Sequence, residues 1–146
     1  MATDVYYMKQ ALLEAERALH KGEVPIGAII VMQDRIIARA HNLTETLTDV
    51  TAHAEMQAFT AAADFLGGKY LPECTLYVTL EPCQMCAGAS AWTQLGKIVF
   101  GAYDSQRGFQ KLQTQLHPKT KVVGGVLEAE CAHLINKFFM EKRNLN

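Results

Sequence analysis

Two short motifs, His53-Ala54-Glu55 and Pro82-Cys83-Gln84-Met85-Cys86, constrain this chain more than anything else in it. An imidazole and two thiolates form a donor set that zinc favours, and three protein ligands leave a tetrahedral ion the open position that catalytic sites keep. Any fold must therefore bring residue 53 beside residues 83 and 86. Cys83 and Cys86 are three apart, so they share a helical face and can hold one ion. His53 and Glu55 are two apart and splay, which lets the carboxylate stand beside the metal without binding it. A CxxC alone also serves structural zinc sites and redox pairs. The separate His-x-Glu argues against a redox pair. A closed structural site would need a fourth ligand, and the candidates are Cys74 and His41.

The rest of the chain supplies a frame for that meeting. Met8, Leu12, Ala15 and Leu19 can share one face of a helix over Tyr6 to Leu19, closed by His20-Lys21-Gly22. Pro25 introduces a β-branched run, Ile26 to Val31, which reads as a buried strand. Gln33-Asp34 reads as the turn of a hairpin returning over Arg35 to Ala40. Residues 42–50 are polar and Thr-rich, hence a loop. A helix is expected from Thr51 or Ala52 to Leu66, stopped by Gly67-Gly68. A strand follows over Thr75 to Leu80. Pro82 suits the first turn of the next helix, running to about Leu95. Strands are expected over Ile98 to Gly101 and Lys121 to Leu127, joined by a long connection with one short helix. A last helix spans Glu128 to Arg143. A hairpin followed by strands with helical crossovers implies a mixed sheet covered on both faces, a three-layer α/β/α domain. Both motifs then lie at helix N-termini, whose free N–H groups and positive dipole ends favour thiolate.

Composition narrows the setting. The 146 residues, 49% apolar, suit one compact domain occupying the whole chain. The start reads as an amphipathic helix and not as a signal peptide, and no apolar run nears the ~20 residues that span a bilayer. A cytoplasmic protein with no membrane partner is expected. Cys74 and Cys131 sit in apolar patterns and read as buried thiols. Net charge is −1, with 8 basic and 4 acidic residues after position 96. That imbalance suits a polyanion if it forms one face beside the metal, but a dedicated duplex-DNA binder would be more basic overall.

Beyond the two motifs, Glu23-Val24-Pro25-Ile26-Gly27-Ala28, Arg39-Ala40-His41-Asn42, Val78 through Ala89, Val99-Phe100-Gly101-Ala102 and the tail from Gly125 to Phe139 carry a family likeness. Glu23 to Arg143 resembles the bacterial tRNA-specific adenosine deaminases, within the cytidine deaminase-like superfamily. The resemblance implies a cytidine deaminase-like domain with a mixed five-stranded central sheet and one Zn2+ per subunit, held by His53, Cys83 and Cys86. It implies conversion of adenosine to inosine at the wobble position of a tRNA anticodon. Glu55 would accept the proton of the attacking water and return protons to the ring nitrogen and the leaving amine. The anticodon stem-loop would be the partner, its target base splayed into a pocket. Asn42 matches the position that hydrogen-bonds the base, and Asp104 the one that faces the ribose. Pro25, Ile26 and Ala54 match pocket positions. Phe138, Phe139, Lys142 and Arg143 match a terminal helix bordering the RNA. The family forms homodimers, and Trp92 could lie on the dimer face.

Three features depart from the family pattern: the C-terminal residues Lys142-Arg143-Asn144-Leu145-Asn146 are less basic than is frequent in the RNA enzymes, Tyr103 stands where a basic residue is frequent, and Ala91-Trp92 resembles free-base guanine deaminases. The competing readings are therefore a deaminase of free bases or nucleosides, guanine or cytosine among them, and a zinc-stabilised binding module without turnover. A carboxylate beside the metal that does not bind it argues against the module.

Overall fold

The computed structural model describes residues 2–144. Its elements are α1 (Asp4–His20), β1 (Gly27–Met32), β2 (Arg35–His41), α2 (Ala54–Leu66), β3 (Thr75–Leu80), α3 (Gln84–Trp92), β4 (Lys97–Ala102), α4 (Phe109–Leu112), β5 (Lys121–Val123) and α5 (Glu128–Asn144). The five strands form one sheet in the order β2-β1-β3-β4-β5. β1 is antiparallel to both β2 and β3, whereas β3, β4 and β5 run parallel. This is the mixed sheet expected from the hairpin and the helical crossovers. Gln33 and Asp34, both at positive φ (51° and 59°), make the hairpin turn, the pattern of a type I′ turn, which suits strand twist.

Side-chain alternation separates the two faces of the sheet. Ile29, Val31, Tyr77 and Val99 pack with Tyr7, Met8 and Ala11 of α1 and Cys131 of α5. Ala28, Ile30, Leu76, Val78, Ile98 and Phe100 pack with Ala54, Ala58, Phe59 and Ala62 of α2 and Ala87 of α3. Helices thus cover both faces, giving three layers. Alanines dominate the helix sides of these contacts, so helices and sheet approach closely. The tightest approach is at Gly27, where a Cβ would strike the backbone of Ala11 and Ala15. Glu14, only 2% exposed, ties α1 to β2 through Arg39 at 3.5 Å and His41 Nδ1 at 3.5 Å. Cys74 and Cys131 are buried thiols, as their apolar surroundings in sequence suggest.

Four boundaries depart from the sequence expectation for reasons visible in the structure. α2 begins at Ala54 rather than Thr51 or Ala52, because His53 is extended (φ −71°, ψ 155°) and serves as its N-cap. α3 begins at Gln84, with extended Cys83 as N-cap and Pro82 outside the helix. It ends at Trp92 rather than near Leu95, since Gln94 turns to positive φ. β5 stops at Val123 rather than Leu127. The two glycines that follow take the chain away from the sheet, and a Cβ at Gly124 would collide with Phe100.

Candidate active site

The topology collects four chain ends at one edge of the molecule. β2, β3 and β4 finish there, and antiparallel β1 starts there, as the pairing of Gly27 with His41 and of Leu80 with Ala102 shows. In α/β sheets the carboxyl ends of strands are where ligands bind. Here they open into a cavity of about 640 Å³ lined by Ile26, Asn42, His53, Ala54, Glu55, Glu81, Cys83, Tyr103, Asp104, Arg107 and Phe139, among others.

The two motifs meet on its floor. His53 Nδ1 lies 3.7 Å from Cys83 Sγ and 3.6 Å from Cys86 Sγ. The three donor atoms lie within 4.8 Å of one another, close enough to share one ion. His53 and Cys83 are the N-caps of α2 and α3, and neither side chain caps its helix. Both point instead toward the common centre. Hydrogen bonding from Cys86, with His53 beside it, holds the Cys83 thiol well below its usual range despite its burial. His53 is raised, chiefly by its hydrogen bond to Cys83. Two cysteine sulfurs, ligating as thiolates, and an imidazole are the donors zinc takes, so the residues fit that metal.

Glu55 sits in the first turn of α2, 4% exposed, and lines the cavity next to these ligands. Burial pushes its carboxyl up to about 7, where it can both take and give a proton near neutral pH. Asn42 follows β2 directly. It is 5% exposed, its Nδ2 donates to Thr44 Oγ1 at 3.4 Å, and its Oδ1 is buried without a partner among the described residues. An orphan amide oxygen on a cavity wall is an acceptor available to a ligand N–H.

Of the residues singled out in the sequence, Ile26, Asn42, Ala54, Asp104 and Phe139 line this cavity with His53, Cys83 and Glu55, while Cys86 is buried and does not line it. Pro25 is buried but does not line it, and Arg143 is exposed on the last turn of α5, where its Nε donates to the Phe139 carbonyl. Asp104 also caps its own loop: Oδ1 accepts from the amides of Gln106 and Arg107. The basic residues do not gather on one face beside the site. Arg107 lines the cavity, whereas Lys97, Lys119 and Lys121 surround a separate cleft with His117, at the other end of the sheet.

Two buried carboxylates had no role assigned from the sequence. Glu23, 0% exposed, accepts from the amides of Glu45 (3.0 Å) and Thr46 (2.6 Å) and from the hydroxyls of Thr46 (2.7 Å) and Thr44 (3.5 Å). Burial alone would raise its pKa. The hydrogen bonds outweigh that and hold it below the usual carboxylate range. Glu81, 4% exposed, accepts from the amides of Asp104 and Gln110. The only sequence signal for either was its place inside a family segment, Glu23 at the head of Glu23-Val24-Pro25 and Glu81 just before Pro82-Cys83.

The sequence profile of MafB19-like deaminases matches residues 2–144. A three-layer α/β/α fold whose strand ends carry a His/Cys/Cys nest and a buried glutamate defines a deaminase of the cytidine deaminase-like class. The chain is 48% identical to the tRNA-specific adenosine deaminase of Bacillus subtilis, over 98% of its own length and 92% of that protein. A solved tRNA:A34 deaminase, studied for A-to-I editing at the wobble position of transfer RNA, superimposes with a TM-score of 0.83 at 41% identity, covering 88% of this chain and 98% of the other. The chain belongs to the tRNA-specific adenosine deaminase family. A guanine deaminase from Bacillus subtilis is also similar, at 36% identity and a TM-score of 0.66, over 70% of this chain and 66% of that one.

Proposed function

We propose that this chain, working as one deaminase domain, hydrolyses adenosine to inosine at the wobble position of tRNA anticodons and releases ammonia. The observation that carries the reaction is the cluster of His53, Cys83 and Cys86, of which His53 and Cys83 line a cavity together with buried Glu55. One zinc ion held by those three side chains would supply a water acidic enough to deprotonate near neutral pH. Glu55 accepts one proton of the attacking water and delivers it to the ring nitrogen, then takes the proton of the new hydroxyl on the ring carbon and delivers it to the amine, which departs as ammonia. Its raised pKa suits both directions of transfer. Asn42 holds the purine through its free amide oxygen, and Ile26 and Ala54 flank the ring. The choice of tRNA over a free base is supported by the near-complete overlap with relatives named for tRNA. It is also supported by a rim that carries half-exposed aromatics, Tyr103 at 50% and Phe139 at 45%, on which splayed bases can stack. Asp104 lies on the same rim, with only Oδ1 engaged among the described residues, and its other oxygen can accept from a ribose hydroxyl.

The protein would act as a homodimer in the cytoplasm, where its substrate is. Trp92, 85% exposed at the end of α3, lines a shallow groove with Tyr70, Ala91, Gln94 and His117, an exposed aromatic in a mixed surface that suits a second copy. Among the described residues no helix is long and apolar enough to cross a membrane.

The test is inosine formation on an anticodon stem-loop with adenosine at the wobble position. Inosine from the zinc-loaded wild type supports the reading. No inosine, with ammonia released from guanine instead, would overturn it in favour of a free-base enzyme.

A further inference from the structure

The wall of the cavity from Tyr103 to Arg107 belongs to no strand or helix. Its backbone amides and carbonyls lack a ladder to fix them, yet it carries the side chains that would meet a polynucleotide. Asp104 Oδ1 folds it on itself through the amides of Gln106 and Arg107; the side chain that joins it to the end of β3 is that of buried Glu81. Glu81 Oε1 accepts from Asp104 N–H at 3.0 Å and Oε2 from Gln110 N–H at 3.0 Å, so one carboxylate grips both ends of the segment. The grip leaves no space beneath the loop: a Cβ on Gly108 would overlap the Glu81 carboxylate and the Asp104 carbonyl. The backbone adds two further ties, Phe109 N–H to the Pro82 carbonyl at 2.9 Å and a bridge between Gly108 and Cys83. Glu81, Pro82 and Cys83 thus hold the loop and the metal donor from one stretch of chain.

We infer that Glu81 is a positioning residue for substrate binding: it sets the wall that RNA lies against and takes no part in proton transfer. The inference rests on the RNA reading above. Its chemical basis is specific to a carboxylate. Two N–H donors need two acceptor oxygens, and an amide offers only one oxygen and an NH2 that would face the second donor.

Glu81→Gln therefore separates this role from others. On the anticodon stem-loop, KM should rise by roughly tenfold, the loss expected when one buried hydrogen bond is replaced by an unpaired donor. The kcat should stay within about threefold of wild type, since uniform binding and not the chemical step is affected. Bound zinc should be unchanged, and amide hydrogen exchange over residues 104–110 should accelerate. A fall in kcat at constant KM, or loss of zinc, would overturn the inference and assign Glu81 to the Cys83 side of the site. Gly108→Ala, which crowds the same grip from the loop, should give the same KM signature and serves if Glu81→Gln does not fold. Wild-type inosine formation with KM unchanged in the folded variants sinks this inference alone. A wild type that makes no inosine sinks the RNA reading and this inference with it.

Discussion

His53 and Cys83 hold equivalent places in two different helices: each is the N-cap, neither caps, and their side chains meet at 3.7 Å. Helix starts are normally closed by Ser, Thr, Asp or Asn, whose side chains satisfy a free N–H and contribute about 1 kcal/mol. This site forgoes that stabilisation twice so that the two side chains can face a metal. Cys83→Ser should therefore act in opposite directions. It should abolish zinc binding and turnover, while making the metal-free protein more stable than metal-free wild type by about 0.5–1 kcal/mol, or a few degrees in Tm. Metal analysis and thermal melts in the presence of a chelator check both halves.

Glu55→Gln keeps the shape of the side chain and removes its proton transfer. Bound zinc should remain stoichiometric, and kcat should fall by about 10²–10⁴-fold, the range for a lost general acid–base group. Retained turnover, or loss of metal, would contradict the division of labour between Glu55 and the three donors.

Asn42→Ala removes the free acceptor on the cavity wall and leaves the fold intact. The kcat/KM for the stem-loop should drop by about 10–100-fold, equivalent to one well-placed hydrogen bond to the base. Steady-state kinetics beside an unchanged circular dichroism spectrum would establish it.

Glu23 links stability to pH. Its folded pKa is lowered, so the folded state holds its proton less readily than the unfolded chain. That contribution is fully present above the ordinary carboxylate pKa and disappears as the pH falls through the folded value. Glu23→Gln should cost about 2–3 kcal/mol at neutral pH, the scale of hydrogen bonds to a buried charge. The gap from wild type should narrow as the solution becomes acidic. Urea unfolding of both proteins across the acid range measures it, and a gap that widens toward low pH would refute the assignment.

Trp92→Glu places a charge on the exposed apolar surface at the end of α3. The variant should sediment as a monomer with stability within about 0.5 kcal/mol of wild type, as expected for a surface position. A wild type that is itself monomeric would remove the basis for the proposed dimer.

Much of this architecture was legible because its causes are local. β-branched runs, the Gln33-Asp34 turn and the glycines after α2 mark their elements without help from the rest of the chain. The His/Cys/Cys cluster was legible because few other roles demand that residue set at that spacing. The starts of α2 and α3 were not, since His53 and Cys83 are poor caps and their extended backbones answer to the site rather than to propensity. Glu23 and Glu81 were opaque for a related reason. A carboxylate reads as solvated surface until the loop that folds over it supplies its donors, and those donors are 20 or more residues away. Charge counting along the chain likewise could not foresee that Lys97, Lys119 and Lys121 collect at the far end of the sheet.

Asn42, Glu81 and Tyr103 leave β2, β3 and β4, and Ile26 enters β1, all at the same edge of the sheet. The pairing that aligns those ends lies within the strands, whereas the segment after β4 is held by side chains, Asp104 from within and Glu81 from the end of β3. On the reading proposed above, a change in that segment would alter what the mouth of the cavity admits without touching His53 and Glu55, which stand at the start of α2. Cys83 is not insulated in the same way, because its own backbone bridges to Gly108.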